Sequence, residues 1–522
     1  MKKLLTLLLL TVRLVTVCSE EVLFLLPFCP ISHKLIVDPI AVALGAKGHH
    51  VTFVSAFTFE KPTPANITEI VYPQFIDSFT VLQEILEDTI RYGWYPGIFT
   101  RYFDMHSELC RQFYDSGLLQ KWTRSGNKFR VVLIDKVFTE CLLPLWRNIA
   151  ESAIILNTSP LSPMAVKLMG IPTPYSHVPH PMLPYTHRMT FIQRFINTLH
   201  WIMSSYVIHY SRVVVYNRVI LPNFPDTQSY EDSVKNISLV LTNDDPILTR
   251  PRPHLPTVVP IGGIKCRLPK PLSESVVKTF IENSGDDGFI LVSFGSILNG
   301  DSLGEKMVQT LVTAFSQIKQ RVIWKHDSNT TRLSNNVLVG KWFPQADILG
   351  HPKIRAFINQ GGVSSMHEAL YNAVPQICFP LTSEQPVLVA AAADNGIAIP
   401  LDFRTFTLEE LVNSINKASN DAEMRNNVQY YSKIFRDRQE TPSETAVYWI
   451  EYVMKYNGAL HLQSASADLN FVQYYLLDVY ATLILIFGFI ALFLWAGMKK
   501  LFQLLYPRGF LNVVWKIKVK LE

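Results

Sequence analysis

Short apolar runs rich in Val, Ile, Leu and Phe recur along the chain, separated by stretches whose apolar residues fall at helical spacing. In the first half they occupy 22–27, 50–54, 130–135 and 153–157. In the second half they occupy 288–294, 321–324, 336–339, 354–358, 376–380 and 396–400. Continuous apolar strands alternating with helices predict parallel sheets covered on both faces. Two such series predict two doubly wound α/β domains. The Pro-rich stretch 250–271 separates them. The segment 191–221, dense in Trp, Tyr, Ile and Val, reads first as an ordinary buried helix pair of the first domain. A membrane-contacting or ligand-lining surface is the alternative.

Two longer apolar runs lie near the ends. Residues 4–12 are mostly Leu, preceded by Lys2 and Lys3 and followed by small residues near Ser19, as in a secretory leader cleaved after residue 19. Residues 479–498 carry no charge and are long enough to cross a bilayer. Lys499 and Lys500 follow and place the tail in the cytosol. This predicts a leader (1–19), a first α/β domain (20–285), a second (286–456), a linker (457–478), a transmembrane helix (479–498) and a cytosolic tail (499–522). The tail ends Lys518-Val-Lys520-Leu-Glu522, resembling the dilysine retrieval signal of endoplasmic reticulum membrane proteins. Asn-x-Ser/Thr sequons at Asn66, Asn157, Asn236 and Asn329 agree with a lumenal main body, although Pro160 follows closely on the second.

Composition sharpens this in one respect. The chain has 522 residues, 48 % apolar and 17 % charged, so disorder is excluded for most of it. Its net charge is +5, which alone would suggest nucleic acid or an acidic surface as partner. However, residues 499–522 carry +5 and residues 1–19 carry +3, leaving −3 for everything between. The basic character records topology, and nucleic acid drops out as a partner. Cysteines at 18, 29, 110, 141, 266 and 378 show no Cys-x-x-Cys spacing. That argues against a zinc site or a disulfide scaffold and leaves room for one disulfide of unspecified pairing.

The densest chemistry lies between 342 and 386. Residues 354–358 form a strand, Gly361-Gly362 a turn, and 363–373 a helix. Such a junction aims free backbone N–H groups and the positive end of the helix dipole at an anion. Ser364 and Ser365 add hydroxyl donors. Glu368, one turn further on, could accept from a ribose diol, and Trp342 offers a flat face for a base. In the first half, His33 follows the first strand and Asp135 ends the strand 130–135. A histidine can accept a proton at neutral pH, and a carboxylate on its other nitrogen would orient the ring.

The segment Trp342-Phe-Pro-Gln345 … Gln360-Gly361-Gly362-Val-Ser364-Ser365-Met-His-Glu368 … Glu384-Gln385 closely resembles the signature of the UDP-glycosyltransferase family, in particular the membrane-bound UDP-glucuronosyltransferases of animals. The resemblance extends over nearly the whole chain. It implies the GT-B fold, two Rossmann-like domains facing across a cleft, with acceptor on the first and UDP-sugar on the second. It assigns base stacking to Trp342 and base or ribose contact to Gln345. Ser296 and the turn Gln360 to Ser365 would hold the diphosphate, Glu368 the ribose, and Glu384 and Gln385 the sugar hydroxyls. His33 becomes the general base and Asp135 its partner, in an inverting transfer of glucuronate or glucose to a small lipophilic acceptor. The UDP-sugar is a co-substrate, with no cofactor and no metal expected. The implied setting is the endoplasmic reticulum membrane, in a detoxification role, as a type I single-pass protein. A homo-oligomer is compatible with this reading.

Three positions depart from the pattern. Gln360 stands where relatives usually have His, Ser364 where Asn is common, and Glu384 where Asp is common. Gln keeps a donor but cannot become cationic. No cation occupies the neighbourhood Leu241-Thr-Asn243-Asp244-Asp245 (glucuronate-using relatives tend to have an Arg there), which leans the donor towards UDP-glucose. The competing reading is a lumenal binding protein of the same fold with a decayed donor site. A nicotinamide oxidoreductase fails, because no Gly-x-Gly-x-x-Gly follows the opening strand.

Overall fold

The computed structural model describes residues 19–59, 62–92, 96–136, 141–227, 229–295, 303–326 and 333–505. The expected leader up to residue 18, Ser296, the Asn329 sequon and the tail from residue 506 lie outside these. The chain divides into two compact units, 1–464 and 465–522.

The first unit holds two wholly parallel sheets. Strands β1 (Glu21–Leu26), β2 (His50–Ser55), β3 (Ile67–Val71), β4 (Val131–Asp135), β5 (Ala153–Asn157), β6 (Leu239–Thr242) and β7 (Val258–Pro260) form the first, in order β3-β2-β1-β4-β5-β6-β7. Strands β8 (Phe289–Ser293), β9 (Arg321–Lys325), β10 (Val337–Gly340), β11 (Ile354–Asn359), β12 (Gln376–Cys378) and β13 (Ala398–Pro400) form the second, in order β10-β9-β8-β11-β12-β13. Every run expected as a strand is one. The expected strands omit β3, β6 and β7. Ile67–Val71 is an edge strand interrupted by Thr68 and Glu69, and the other two span only four and three residues. Strand order reverses between β1 and β4 and between β8 and β11, and such crevices are where open α/β sheets bind ligands.

The helix Pro442–Lys455 falls inside the stretch expected to belong to the second domain, yet it packs on the first sheet. Its Ala446, Val447, Ile450, Val453 and Met454 share one core with Val22, Phe24 and Leu133. A Thr441–Glu444 capping box starts it, and Glu451 pairs with Lys47 at 2.8 Å and His49 at 3.3 Å. The chain thus crosses back after building the second sheet, because this apolar stripe has its covering partner only there.

Segment 191–221 is also different from its first reading. It is not a buried helix pair but one helix, Phe191–Val215, continuing into a π-turn Tyr216–Ile220. Trp201, Val215 and Asn197 face inward, whereas Phe191, Phe195, Ile202, Met203 and Tyr206 are exposed along its length. Asn157 is buried and donates to Ser159 O and Thr242 Oγ1, so its amide is structural and not an open glycan acceptor. Cys110 and Cys141 form a disulfide. In the second unit, Leu477–Leu505 is one helix of 29 residues, exposed throughout and long and apolar enough to cross a membrane.

Two outcomes follow from this packing. Ile450→Ala should cost about 2–5 kcal/mol, read as a lower urea midpoint for loss of the first sheet. His367 is buried against Phe435, and burial plus the Arg438 guanidinium push its pKa down to about 3. The unfolded chain, with an imidazole near 6.5, takes up the proton more readily. Stability is therefore complete above roughly pH 6.5 and is lost as the pH falls towards 3. A His367→Leu variant should show a shallower acid decline of its melting temperature; parallel declines would remove His367 as the cause.

Candidate active site

A cavity of about 660 Å³ opens between the C-terminal ends of the two sheets. Parallel strands all end on the same edge, so both sheets deliver their loops and helix N-termini to it.

From the first sheet comes a three-residue cluster. His33 sits in the first turn of the helix Ile31–Ala46, which starts five residues after β1 ends. Its Nδ1 lies 3.0 Å from Asp135 Oδ2 at the end of β4 and 2.9 Å from Thr158 Oγ1 just after β5. Thr158 Oγ1 is also 3.4 Å from Asp135 Oδ1. Asp135 is 3 % exposed and His33 19 %. An ionised carboxylate only accepts, so Nδ1 carries the proton and Nε2 keeps its lone pair. Lys136 follows Asp135, and its ammonium bonds to Ser159 Oγ. Burial lowers the Lys136 pKa, against the opposing pull of Glu384, Asp135 and Asp244.

From the second sheet come two tight turns. After β11, Gly361 adopts φ +82° with its N–H held by Asn359 Oδ1 at 2.7 Å. A Cβ there would sit 2.5 Å from Val389 Cγ2. The helix Val363–Tyr371 then begins at Gly362 with no side-chain cap, leaving its first N–H groups for a ligand. Ser364 and Ser365 lie in its first turn. Gln360 packs its amide against Gly295 at the end of β8, where a Cβ would come within 2.2 Å of Nε2. Its Oε1 is buried without a hydrogen-bond partner among the described residues.

Glu368 is buried, with Oε2 taking a bond from Gln345 Nε2 at 2.6 Å and Oε1 paired with Lys265 at 3.2 Å. Gln345 Nε2 also reaches Ser365 Oγ at 3.2 Å. Trp342 is 66 % exposed, with the Lys325 ammonium 5.0 Å from its ring centre. Glu384 precedes the helix Gln385–Asp394 and accepts from Ser383 at 2.6 Å. Gln385 Oε1 accepts from Leu381 N and Thr382 N, which leaves its Nε2 to donate elsewhere.

Of the residues singled out from the sequence, His33, Trp342, Gln345, Gln360, Gly362, Ser364, Ser365, Glu368, Glu384 and Gln385 all line this cavity. Asp135 stands behind His33, Gly361 lies in the turn beneath, and Ser296 falls outside the described residues. Sequence reasoning missed Thr158, Lys136, Lys265 and Lys325. Only Lys136 was signalled, by its place beside Asp135; Thr158 and Lys265 come from loops, and Lys325 ends β9. The first-sheet side of the cavity also presents an apolar wall of Ile31, Leu35, Ile36, Leu82 and Ile85, with Ser32, Thr89 and Tyr102 beside it.

Residues 25–508 match the family model described as UDP-glucoronosyl and UDP-glucosyl transferase. The chain is 31 % identical over 505 residues to UDP-glycosyltransferase UGT4 of Dactylopius coccus, covering 93 % of this chain and 95 % of that protein. It is 30 % identical over 465 residues to human UDP-glucuronosyltransferase 2B7, covering 86 % and 87 %. Among solved structures, the calicheamicin glycosyltransferase CalG4 superposes with a TM-score of 0.58 at 15 % identity, over 84 % of this chain and 98 % of that one. A UDP-glucosyltransferase from Polygonum tinctorium gives 0.53 at 15 %, over 84 % and 99 %. Those two likenesses carry the fold, GT-B, and the sequence matches carry the family. A cavity built on two facing parallel sheets, in a chain matched almost end to end, leaves one conclusion: the protein belongs to the UDP-glucuronosyl and UDP-glucosyl transferase family and is a glycosyltransferase.

Proposed function

We propose that the protein transfers a hexosyl group from a UDP-sugar to a hydroxyl of a small lipophilic acceptor, with inversion at the anomeric carbon. The observation that carries this reading is the His33–Asp135–Thr158 cluster opening into the same cavity as the uncapped Val363–Tyr371 helix. The acceptor lies against the apolar wall formed by Leu35, Ile36, Leu82 and Ile85. His33 Nε2 takes its hydroxyl proton while Asp135 stabilises the imidazolium that forms. The oxygen attacks the anomeric carbon from the face opposite UDP, the new C–O bond forms as the bond to the diphosphate breaks, and one displacement inverts the centre.

The departing charge is met by the first N–H groups of the Val363–Tyr371 helix, by Ser364 and Ser365, and by the Lys325 ammonium. Uracil stacks on Trp342, and Gln345 contacts the base or the ribose. The ribose hydroxyls bind Glu368 in place of Lys265. Glu384 and the free Gln385 amide hold the sugar. The Leu477–Leu505 helix anchors the protein in the endoplasmic reticulum membrane with its main body lumenal, in keeping with the two lysines at its end. The Gln360 Oε1, which finds no partner among the described residues, and the replacement of Asp by Glu384 favour a decayed donor site, and UDP binding decides between the readings.

His33→Ala should lower kcat for transfer by about 10²–10⁴-fold while UDP still binds by calorimetry. Unchanged turnover would sink the assignment, and no measurable heat with UDP would favour the decayed site. Gly361→Ala faces both a left-handed φ and a clash with Val389. It should weaken UDP binding by at least about 10-fold, and an unaltered Kd would remove this turn from the donor site.

A further inference from the structure

We propose that the outward face of the helix Phe191–Val215 lies in the surface of a phospholipid bilayer. Of the reading above it takes only the membrane anchor, and it adds a second contact with the same kind of surface. The helix is amphipathic the wrong way round for water. Phe191, Phe195, Leu199, Ile202, Tyr206 and Tyr210 are all exposed. At about 100° per residue they fall on one stripe roughly 100° wide that runs the length of the helix. The side turned to the protein is the polar one, where Asn197, Ser211 and Arg212 are buried. Asn197 Nδ2 donates to Tyr175 O at 2.8 Å and Val178 O at 2.9 Å, and its Oδ1 accepts from His180 N at 2.6 Å. Trp201 Nε1 donates to Val178 O at 3.3 Å. These bonds fix the rotation of the helix, so the apolar stripe cannot turn inward. Soluble surfaces rarely leave so long an apolar stripe in water.

A bilayer is the occupant that charge and chain length favour. No Asp or Glu occurs from residue 152 to residue 225. Arg188 just before the helix and Arg218 in the π-turn after it are both exposed. Cations at the two ends of a stripe suit lipid phosphates, and tyrosines suit the boundary between headgroups and chains. A second copy of the same face would set arginines against arginines with no acid to meet them. The main body ends at Ser464, and only residues 465–476 precede the Leu477–Leu505 helix. That stretch reaches at most about 45 Å, so a spanning helix keeps the chain before it within that distance of the bilayer. Tyr210 packs on Phe103 with ring centres 5.7 Å apart, and the neighbouring Tyr102 lines the cavity. A lipophilic acceptor dissolved in the bilayer therefore starts one helix away from the cavity.

The experiment places the full-length protein in vesicles of phosphatidylcholine and phosphatidylserine, with a protease site inserted between Asp468 and Leu469. After cleavage the main body should float with the vesicles. Phe195→Glu combined with Ile202→Glu should lower its bound-to-free ratio by at least about 10-fold. Phe195→Leu combined with Ile202→Leu should keep the ratio within about threefold of wild type. Both positions are exposed, so either variant should melt within about 2 °C of wild type. A bimane label on Phe195→Cys should be quenched by lipids brominated on their acyl chains, whereas a label on Val276→Cys, also exposed on the main body, should not. Release of the wild-type main body by the cut overturns the proposal, as does equal quenching at the two labels. A main body that floats unquenched and crosslinks to another copy through Phe195→Cys overturns it too, and names a second copy as the occupant. If alkaline carbonate extracts the cleaved Leu477–Leu505 fragment, the fault lies with the anchor proposed above, and flotation and quenching still decide the stripe.

Discussion

A carboxylate left alone in a protein interior costs several kcal/mol. Asp135, at the end of a strand hydrogen-bonded on both sides, has almost no access to water. His33 and Thr158 reach it from two other chain segments, one after β1 and one after β5. The same contact settles the tautomer of His33 and points a basic nitrogen away from the acid. One hydrogen bond thus serves a structural requirement of the first sheet and orients the ring proposed above as the proton acceptor. Replacing Asp135 would disturb both, which is why His33, whose loss leaves no buried charge uncompensated by Thr158, is the cleaner probe.

The donor half follows a parallel logic with backbone groups in place of side chains. The turn after β11 must reverse direction within two residues to aim a helix end at the cavity, and Gly361 supplies the left-handed residue this needs. The usual His of that turn is replaced by Gln360, whose amide wedges against Gly295. The wedge is possible because Gly295 has no side chain. Its cost is a buried acceptor without a partner among the described residues, and no cationic side chain stands in that turn.

Much of this was legible in the amino-acid sequence, and the exceptions have physical causes. Strands buried on both faces announce themselves as apolar runs, so β1, β2, β4, β5 and all six strands of the second sheet could be read. An edge strand with Thr68 and Glu69 in it, or one of three residues ending in Pro260, has no such signature. The helix Pro442–Lys455 could be recognised as amphipathic but not assigned to a sheet, since a stripe of Val and Ile does not encode its partner. His33, Trp342 and Glu368 sit in recognisable local patterns. Thr158 and Lys265 matter only because folding brings them against His33 and Glu368, more than a hundred residues away, and Lys325 because β9 ends at the same cavity. The exposed face of Phe191–Val215 was misread for a related reason: composition reports that a helix is apolar, not how much of it the rest of the chain covers.

The position of the two residues proposed to hold the sugar also depends on contacts at the far end of their helix. Glu384 and Gln385 open Gln385–Asp394, and Arg250 grips its other end through Ala391 O at 3.1 Å, Asn395 Oδ1 at 2.8 Å and Asp394. Asn395 Nδ2 returns a bond to Ile247 O at 2.9 Å, and Ile247 and Leu248 enter the core of the second domain. A cation at a helix C-terminus also complements its dipole. Nearby, Arg438 bonds Gly262 O and Asp245, tying the segment before Pro442–Lys455 to the loop that leaves β7. The two sheets are therefore joined on one side by charged clamps and on another by a returning helix. Arg250 therefore holds the C-terminal end of the helix whose opening residues line the cavity, so a contact outside the cavity bears on the placement of Glu384 and Gln385.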